Sequence, residues 1–411
     1  MTASTTRTSG STATRGTTGF ELSREHEEFR RTVAEFAAAR VAPFAGQWDR
    51  EHRFPLETVR EMGELGLFGL TAPEDLGGAG GDLTSLCVAI EEIGRADQSL
   101  GITLEAAVGL GIAPLLRFGT RAQQEAFVPD LAAGRALAAF GLTEPGAGSD
   151  AGATRTRARL EDADDGARSW VLDGAKQFIT NSGTEITSLV TVTARTGERP
   201  DGSPEISAVM VPAGTPGLEV GPAYDKLGWH ASDTHPLSLV DCRVPEENLL
   251  GERGRGYAQF LATLDEGRIA IAALAVGSLQ ACLDAALVQV REREVAGVPI
   301  GARQAVAFQV ADLEAWTTTA RVLTYRAAAL SDAGRPAAEV KQAAAIAKLT
   351  ATEHAVAATR VATQLLGGYG FMEEHPMARF YRDAKVLEVG EGTSEVQRLV
   401  LARGLGLPVS W

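Results

Sequence analysis

From Ser23 onward the apolar positions fall at helical spacing. Phe29, Val33, Phe36 and Ala37 recur at intervals of three and four, with Glu27, Glu28, Arg30 and Arg31 between them. This pattern predicts an amphipathic helix that Pro43 is expected to stop. The segments Leu56 to Leu65, Leu83 to Arg95 and Ala122 to Leu131 read the same way, separated by the turn APEDLGGAGG at 72–81 and by Gly134. The period then changes. Val190, Val192 and Ala194 alternate with Thr191, Thr193 and Arg195, Ile206 begins a second alternation, and Leu237 to Val244 is a further β-rich stretch. After GERGRG at 251–256 the helical period returns in 257–292, 302–332 and 336–366, with a shorter helix after Thr393. The pattern therefore predicts a multi-domain α and β chain. A helical domain at 21–135 precedes a middle β-sheet domain, barrel or sandwich, at 136–246, and a four-helix bundle follows at 247–411. Residues 1–20, rich in Ser, Thr and Gly, are expected to be a disordered leader.

Strands are not interleaved with helices, so a Rossmann domain is not expected. The glycine patterns agree. Gly146-x-Gly148 and Gly254-x-Gly256 each lack the third glycine, and no GxxxxGK[ST] occurs. With 39 basic and 53 acidic residues the net charge is −14, which excludes a protein that grips nucleic acid with a basic face. Cys87, Cys242 and Cys282 are far apart and form no CxxC pair, and His230 and His235 lack helical i, i+4 spacing. Neither a disulfide framework nor a metal site is expected, and a reducing, cytoplasmic location fits. No apolar run reaches the roughly 18 residues of a membrane span, so no membrane is expected.

Four segments could carry chemistry. In GLTEPGAGSDAGA (141–153) the small residues let backbone amides approach a ligand while Thr143 and Ser149 offer hydroxyls; a plain interdomain connection is the alternative. In GAKQFITNSG (174–183) Phe178 and Thr180 share one side of a strand, opposite Ile179, and present a planar ring beside a hydroxyl. Core packing gives the same pattern. In QLLGGYGF (364–371) Gly367 and Gly368 either cap a helix or let a ligand approach. In VLEVGEGTSEVQR (386–398) Glu391 stands between Gly390 and Gly392, just before a Thr-Ser pair able to start the last helix. A carboxylate on such a bare turn is either solvated or a general base, and it is the best base candidate in the chain.

In the order GLTEPGAGSDAGA, FITN, KLGWHASDTH (226–235), LDEGRIAIA (264–272), QLLGGYGF, YRDAK (381–385) and GEGTSEVQR, the chain resembles the acyl-CoA dehydrogenase family. The resemblance covers nearly everything from Ser23 onward. It implies FAD held between the middle domain and the bundle, and removal of hydrogens from C2 and C3 of an acyl-CoA thioester to give a trans-2-enoyl-CoA. By resemblance Phe140, Leu142, Thr143 and Ser149 line the flavin and the pantetheine channel, and Phe178, Ile179 and Thr180 lie beside the isoalloxazine ring. Arg293, Gln304 and the stretch Gln364, Leu365, Leu366, Gly367 and Gly368 match positions that reach the FAD of a neighbouring subunit. Thr393, Ser394 and Glu395 match cofactor contacts at the last helix. Glu391 matches the catalytic base, while Asp265, Arg268, Gly392 and Ser149 match substrate-side positions. A homotetramer, a dimer of dimers, and an electron-transfer flavoprotein as electron acceptor are further implications. A flavin oxidase or monooxygenase using O2 on the same scaffold, and a dehydrogenase of a carrier-protein-bound acyl chain, remain alternatives.

Some positions depart from the family's pattern. A second lineage carries its base where this chain has Gly267, so the assignment falls on Glu391; Glu266, one residue away, points about 100° off on a helix. Gly390 stands where several members have Tyr, which predicts room for short or branched acyl groups. Phe178 replaces a common Trp, a mild change, while Ala296 stands at a frequently aromatic site and His230 at a frequent Arg site, which puts FAD retention and domain packing there in question. Glu105 lies on the helix expected to floor the acyl pocket and reads first as an outward-facing surface acid, with recognition of a polar acyl tail as the other reading.

Overall fold

The computed structural model describes residues 22–162 and 166–409; the leader assigned to residues 1–20 lies outside them. The first helices are α1 (Arg24–Phe36), α2 (Ala42–Glu51), α3 (Leu56–Glu64) and α4 (Leu83–Ala96), followed by α5 (Gln98–Glu105), α6 (Ala113–Phe118) and α7 (Arg121–Ala132). Pro43 does not stop the first helix. A π-turn over Ala37–Val41 passes the chain directly into α2, and Pro43 lies in the first turn of α2, where its missing N–H leaves no helical bond unmade. A second π-turn, Ala106–Ile112, joins α5 to α6. Local chemistry sets several starts: Asp82 caps α4 by accepting from the Ser85 N–H, and Thr120 with Gln123 forms a capping box on α7.

The middle segment contains β1 (Leu137–Gly141), β2 (Arg157–Asp162), β3 (Arg168–Thr180), β4 (Thr187–Glu198), β5 (Pro204–Pro212), β6 (Leu218–Val220), β7 (Thr234–Pro245) and β8 (Leu249–Leu250). They form one eight-stranded sheet in the order β6-β7-β3-β2-β4-β5-β8, with β1 parallel to β4. β2 and β4 meet at one pair, Arg157 with Arg195, so the sheet has two halves. Trp170, Leu172 and Val244 from one half and Val190, Val192 and Val209 from the other share a buried cluster, which closes the halves over each other.

The remainder is helical apart from the hairpin β9 (Glu294–Val295) and β10 (Val298–Pro299): α8 (Gly256–Glu292), α9 (Gln304–Asp332), α10 (Ala337–Leu366), α11 (Pro376–Asp383) and α12 (Ser394–Gly404). Helix α8 is central, packed by α10, α9 and the N-terminal α4. A single apolar core accordingly runs from Val33, Leu86 and Ile90 through Ile269 to Val276 into α9 and α10. Two helical stretches, Gln98–Phe118 and Gly256–Glu292, are long and apolar enough to cross a membrane by composition, which corrects the sequence-based count of apolar runs. Isolated polar residues interrupt each run but leave its mean hydropathy high, and most of both stretches is buried inside the protein as core.

The segment YRDAK, with Arg379 just before it, joins all three parts of the chain. The fully buried Asp383 accepts from the Trp229 N–H at 2.6 Å, Arg379 donates to the Ala96 carbonyl at 3.0 Å, and Arg382 pairs with Asp49 at 2.5 Å. His230 belongs to this joint: its Nδ1 lies 3.0 Å from Asp49, its Nε2 donates to the Lys226 carbonyl at 2.7 Å, and its ring stacks on His52. Arg382 Nη1 also lies 3.4 Å from His230 Nδ1, so the ring is packed between residues of all three parts of the chain.

Burial, with Asp97 adding like charge, pushes Asp383 up to about 7. A raised carboxyl favours folding fully below its unfolded value near 4, and that contribution is lost as pH rises through about 7. Asp383→Asn keeps an oxygen for the Trp229 N–H and does not titrate. Relative to wild type its melting temperature is expected to rise between pH 5 and pH 8; a constant difference across that range in thermal melts would contradict the buried-charge account.

Candidate functional site

Glu391 adopts φ 51 and Gly392 φ 94, a left-handed pair in the turn ahead of α12. A non-glycine residue in this region is strained, and the surroundings hold it there. The Gly392 carbonyl accepts from Lys348 Nζ at 2.9 Å and from Gln397 Nε2 at 2.8 Å, and Thr393 caps α12 by accepting from the Val396 N–H at 3.3 Å. The turn drives the Glu391 carboxylate inward. Its Oε2 is sealed from solvent and has no hydrogen-bond donor, so the bare, solvated turn acid allowed by the sequence is not what forms.

The space that admits this carboxylate is provided by Gly267 on α8. A Cβ built there would overlap Glu391 Oε2, and would lie 3.3 Å from Glu391 Cδ and 3.5 Å from Glu105 Oε1. Two carboxylates therefore converge on one glycine. Glu105, at the last position of α5 before the π-turn, is fully buried and neither oxygen has a donor, so the surface-acid reading is overturned. A π-turn begins one residue later. Burial raises Glu105 far above the ordinary carboxylate range, with Glu391 adding to the effect. Burial also raises Glu391, opposed by the positive charges of Lys348 and Arg268.

Lys348 was not apparent from the sequence. It is completely buried on α10, and loss of hydration pushes it down to about 8 despite the attraction of Glu391. Arg268 is buried and pairs with Asp265 at 2.5 Å, so these two substrate-side candidates lie one to two residues from Gly267 on the same helix. Glu266 points away, to Arg117 at 3.4 Å.

On the sheet side, Glu144 anchors the small-residue loop. It pairs with the buried Lys176 at 2.7 Å and accepts from the Arg155 and Thr156 N–H groups at 2.6 and 3.1 Å. Thr143 is tied to β3 through the Gln177 N–H, Leu142 is half-buried, and Ser149 is exposed. Phe140 stacks on Phe260 at 3.9 Å, so its ring is engaged in packing. β3 is irregular near its end: Phe178 has φ 60 at a register shift and is 58% exposed, Ile179 is buried and Thr180 half-buried. A large aromatic held outside the core, with Tyr224 at 5.0 Å, is a surface for a flat ring. Asn181 Nδ2 then donates to the Thr103 carbonyl at 3.2 Å, tying this strand end to α5 two residues before Glu105.

Other candidates lie elsewhere. From Gly267 to Arg293 along α8 is about 39 Å at 1.5 Å per residue, and from Lys348 to Gln364 along α10 about 24 Å. Arg293, Gln304, Gln364, Gly367 and Gly368 are exposed at that far end, whereas the Leu365 and Leu366 side chains belong to the core and leave only their backbone for a ligand. At α12, Glu395 is exposed, and Ser394 Oγ is buried without a partner. Among the described residues no group of His, Cys, Asp or Glu is placed to hold a metal ion.

A carboxylate sealed from solvent beside a second buried acid, with a buried lysine fixing its turn and an exposed aromatic on the sheet, is an arrangement able to move a proton away from water near a flat ring. Family models for the acyl-CoA dehydrogenase N-terminal, middle and C-terminal domains match residues 23–135, 139–242 and 254–406. The probable acyl-CoA dehydrogenase YngJ of Bacillus subtilis is 48% identical over 94% of this chain and 99% of its own. The mitochondrial short-chain specific acyl-CoA dehydrogenase of Mus musculus is 44% identical over 93% and 90%. Among solved structures, butyryl-CoA dehydrogenase from Megasphaera elsdenii superimposes with a TM-score of 0.88 at 39% identity, covering 94% and 99% of the two chains. A chain solved with the electron transferring flavoprotein of Acidaminococcus fermentans as its subject gives the same TM-score, identity and coverage. An acyl-CoA dehydrogenase complexed with FAD from Bacillus anthracis gives 0.85 at 32% identity, covering 94% and 69%. This chain belongs to the acyl-CoA dehydrogenase family.

Proposed function

We propose that this chain carries out FAD-dependent α,β-dehydrogenation of a short or branched acyl-CoA thioester to the trans-2-enoyl-CoA, with Glu391 removing the C2 proton. The observation that carries this reading is the Glu391 carboxylate, held inward by a strained turn over Gly267. The residues present fit FAD: Phe178 offers an exposed ring face, the 141–153 loop an unobstructed backbone at Gly148, and Ser394 Oγ a buried hydroxyl in need of a partner. Phe140, Leu142, Thr143, Ser149, Phe178, Ile179, Thr180, Thr393, Ser394 and Glu395 would hold the group. When bound it supplies the acceptor for the hydride leaving C3.

The chain's own residues account for the rest. A thioester α-proton is too weakly acidic for a solvated carboxylate, so burial that raises Glu391 brings its basicity toward the task. Lys348, through the Gly392 carbonyl, fixes the turn so that the carboxylate need not reorganise. The Glu391 N–H, left free by the positive-φ turn, is the donor for the thioester oxygen. Arg268, Asp265 and Gly392 flank the substrate. Arg293, Gln304 and 364–368, too distant for their own pocket, serve a neighbouring subunit. Exposed Val288, Phe308, Tyr369 and Phe371 supply the apolar surface for that contact in a homotetramer. An electron-transfer flavoprotein is the electron acceptor, and three buried free thiols suit the cytoplasm.

Purified protein is expected to be yellow and to bleach anaerobically with butyryl-CoA; a protein that cannot be loaded with FAD, or that stays oxidised with every short thioester, would sink the reading. A Cβ at Gly390 meets only the Val386 carbonyl, at 3.5 Å, so the position is open. Gly390→Tyr is expected to lower kcat/KM for branched thioesters about tenfold or more relative to linear ones. Competition assays with paired substrates measure this, and an unchanged ratio removes Gly390 as a determinant of chain shape.

A further inference from the structure

A buried carboxylate with no donor costs far more than a neutral acid in the same place, so two that meet at Gly267 cannot both be ionised. The cations are distributed unequally between them. Glu391 faces Lys348 from α10 and Arg268 from α8, the latter already paired with Asp265, while Glu388 and Glu395 lie near Lys348. Among the described residues Glu105 has no cation: it faces Glu391, the Gly267 backbone, Gly109 in the following π-turn and the buried thiol of Cys87 on α4. The proton therefore belongs on Glu105.

We propose that Glu105 and Glu391 share a single proton in the resting enzyme, with protonated Glu105 donating a hydrogen bond to the Glu391 carboxylate, which makes Glu105 a positioning residue that keeps the base ionised inside its closed pocket. This rests on Glu391 being the base. When the C2 proton arrives on Glu391, the pair goes from one proton to two. The arrangement also resolves the unpaired atoms, since a neutral Glu105 supplies the donor that Glu391 Oε2 otherwise lacks. The low dielectric makes that bond charge-assisted and strong.

The test uses holoenzyme. Glu105→Gln keeps a donor of the same size and is expected to leave the acid limb of the kcat profile in place. Glu105→Leu removes the donor and should move that limb about one to two pH units upward, an approximately tenfold or greater loss at pH 6 that recovers at pH 9. A shift in the opposite direction would mean that Glu105 is an ionised neighbour, and an unmoved limb that the pair is not coupled; either overturns the proposal. Infrared spectroscopy gives a readout independent of turnover. The carbonyl band of a buried protonated carboxyl at pH 7 should vanish in Glu105→Gln and persist in Glu391→Gln. The reverse pattern places the proton on Glu391 and overturns the proposal even if Glu391 is the base. Full turnover by Glu391→Gln would instead sink the functional reading while leaving the infrared assignment standing.

Discussion

Glu391→Gln is expected to fold, bind cofactor and lose turnover by at least 10²- to 10⁴-fold. The amide has the size of the carboxylate and can still occupy the space over Gly267, but it cannot accept the C2 proton. Water cannot substitute, because Oε2 lies in a region sealed from solvent. Stability should not suffer, since the change removes a charge that burial disfavours. The decisive measurement is the single-turnover bleaching rate with a short acyl-CoA, read beside a thermal melt. A rate within a few fold of wild type would dismiss Glu391 as the base and turn attention to Glu105, the other carboxylate at this glycine. The wild-type acid limb is expected above the ordinary carboxylate range, because burial is the largest influence on Glu391.

Most of the fold was readable from periodicity because most of it is regular. The three long helices of the C-terminal part and the β-rich stretches fall where apolar spacing placed them. The exceptions share a cause. A π-turn adds one residue to a helical turn without demanding a particular side chain, so neither Ala37–Val41 nor Ala106–Ile112 leaves a mark in the sequence. The first carries the chain past the point where Pro43 looked like a stop, and the second joins α5 to α6 directly after Glu105. Lys348 was missed for a related reason: a lone lysine within AAAIAKLTA resembles a solubilising residue, and its partner, the Gly392 carbonyl, is 44 residues further on. A single charge inside an otherwise apolar helical stretch was the available signal for both. Glu391 was recognisable because two glycines around an acid serve no packing purpose, although its inward direction depends on a left-handed φ that sequence does not reveal.

Gly267→Ala is expected to reduce turnover about 10²-fold or more with little change in melting temperature, a combination that few core substitutions produce. The added methyl would overlap Glu391 Oε2, the far end of a side chain that can rotate aside, and its nearest neighbours are side-chain rather than backbone atoms. Alanine favours a helix interior over glycine by about 1 kcal/mol, which offsets the cost of that adjustment. Catalysis has no such tolerance, since displacement of a reacting group by about 1 Å costs on the order of 10²-fold. The methyl also stands 3.5 Å from Glu105 Oε1, so it wedges the two carboxylates apart. Turnover and melting temperature should therefore separate: loss of both together would show that Gly267 serves helix packing, and loss of neither would show that the carboxylate observed over this glycine is not the one that reacts. Because the residue contributes no side-chain atom, its effect on rate can come only from the space it leaves, which makes the substitution a direct measure of how closely the base must be held.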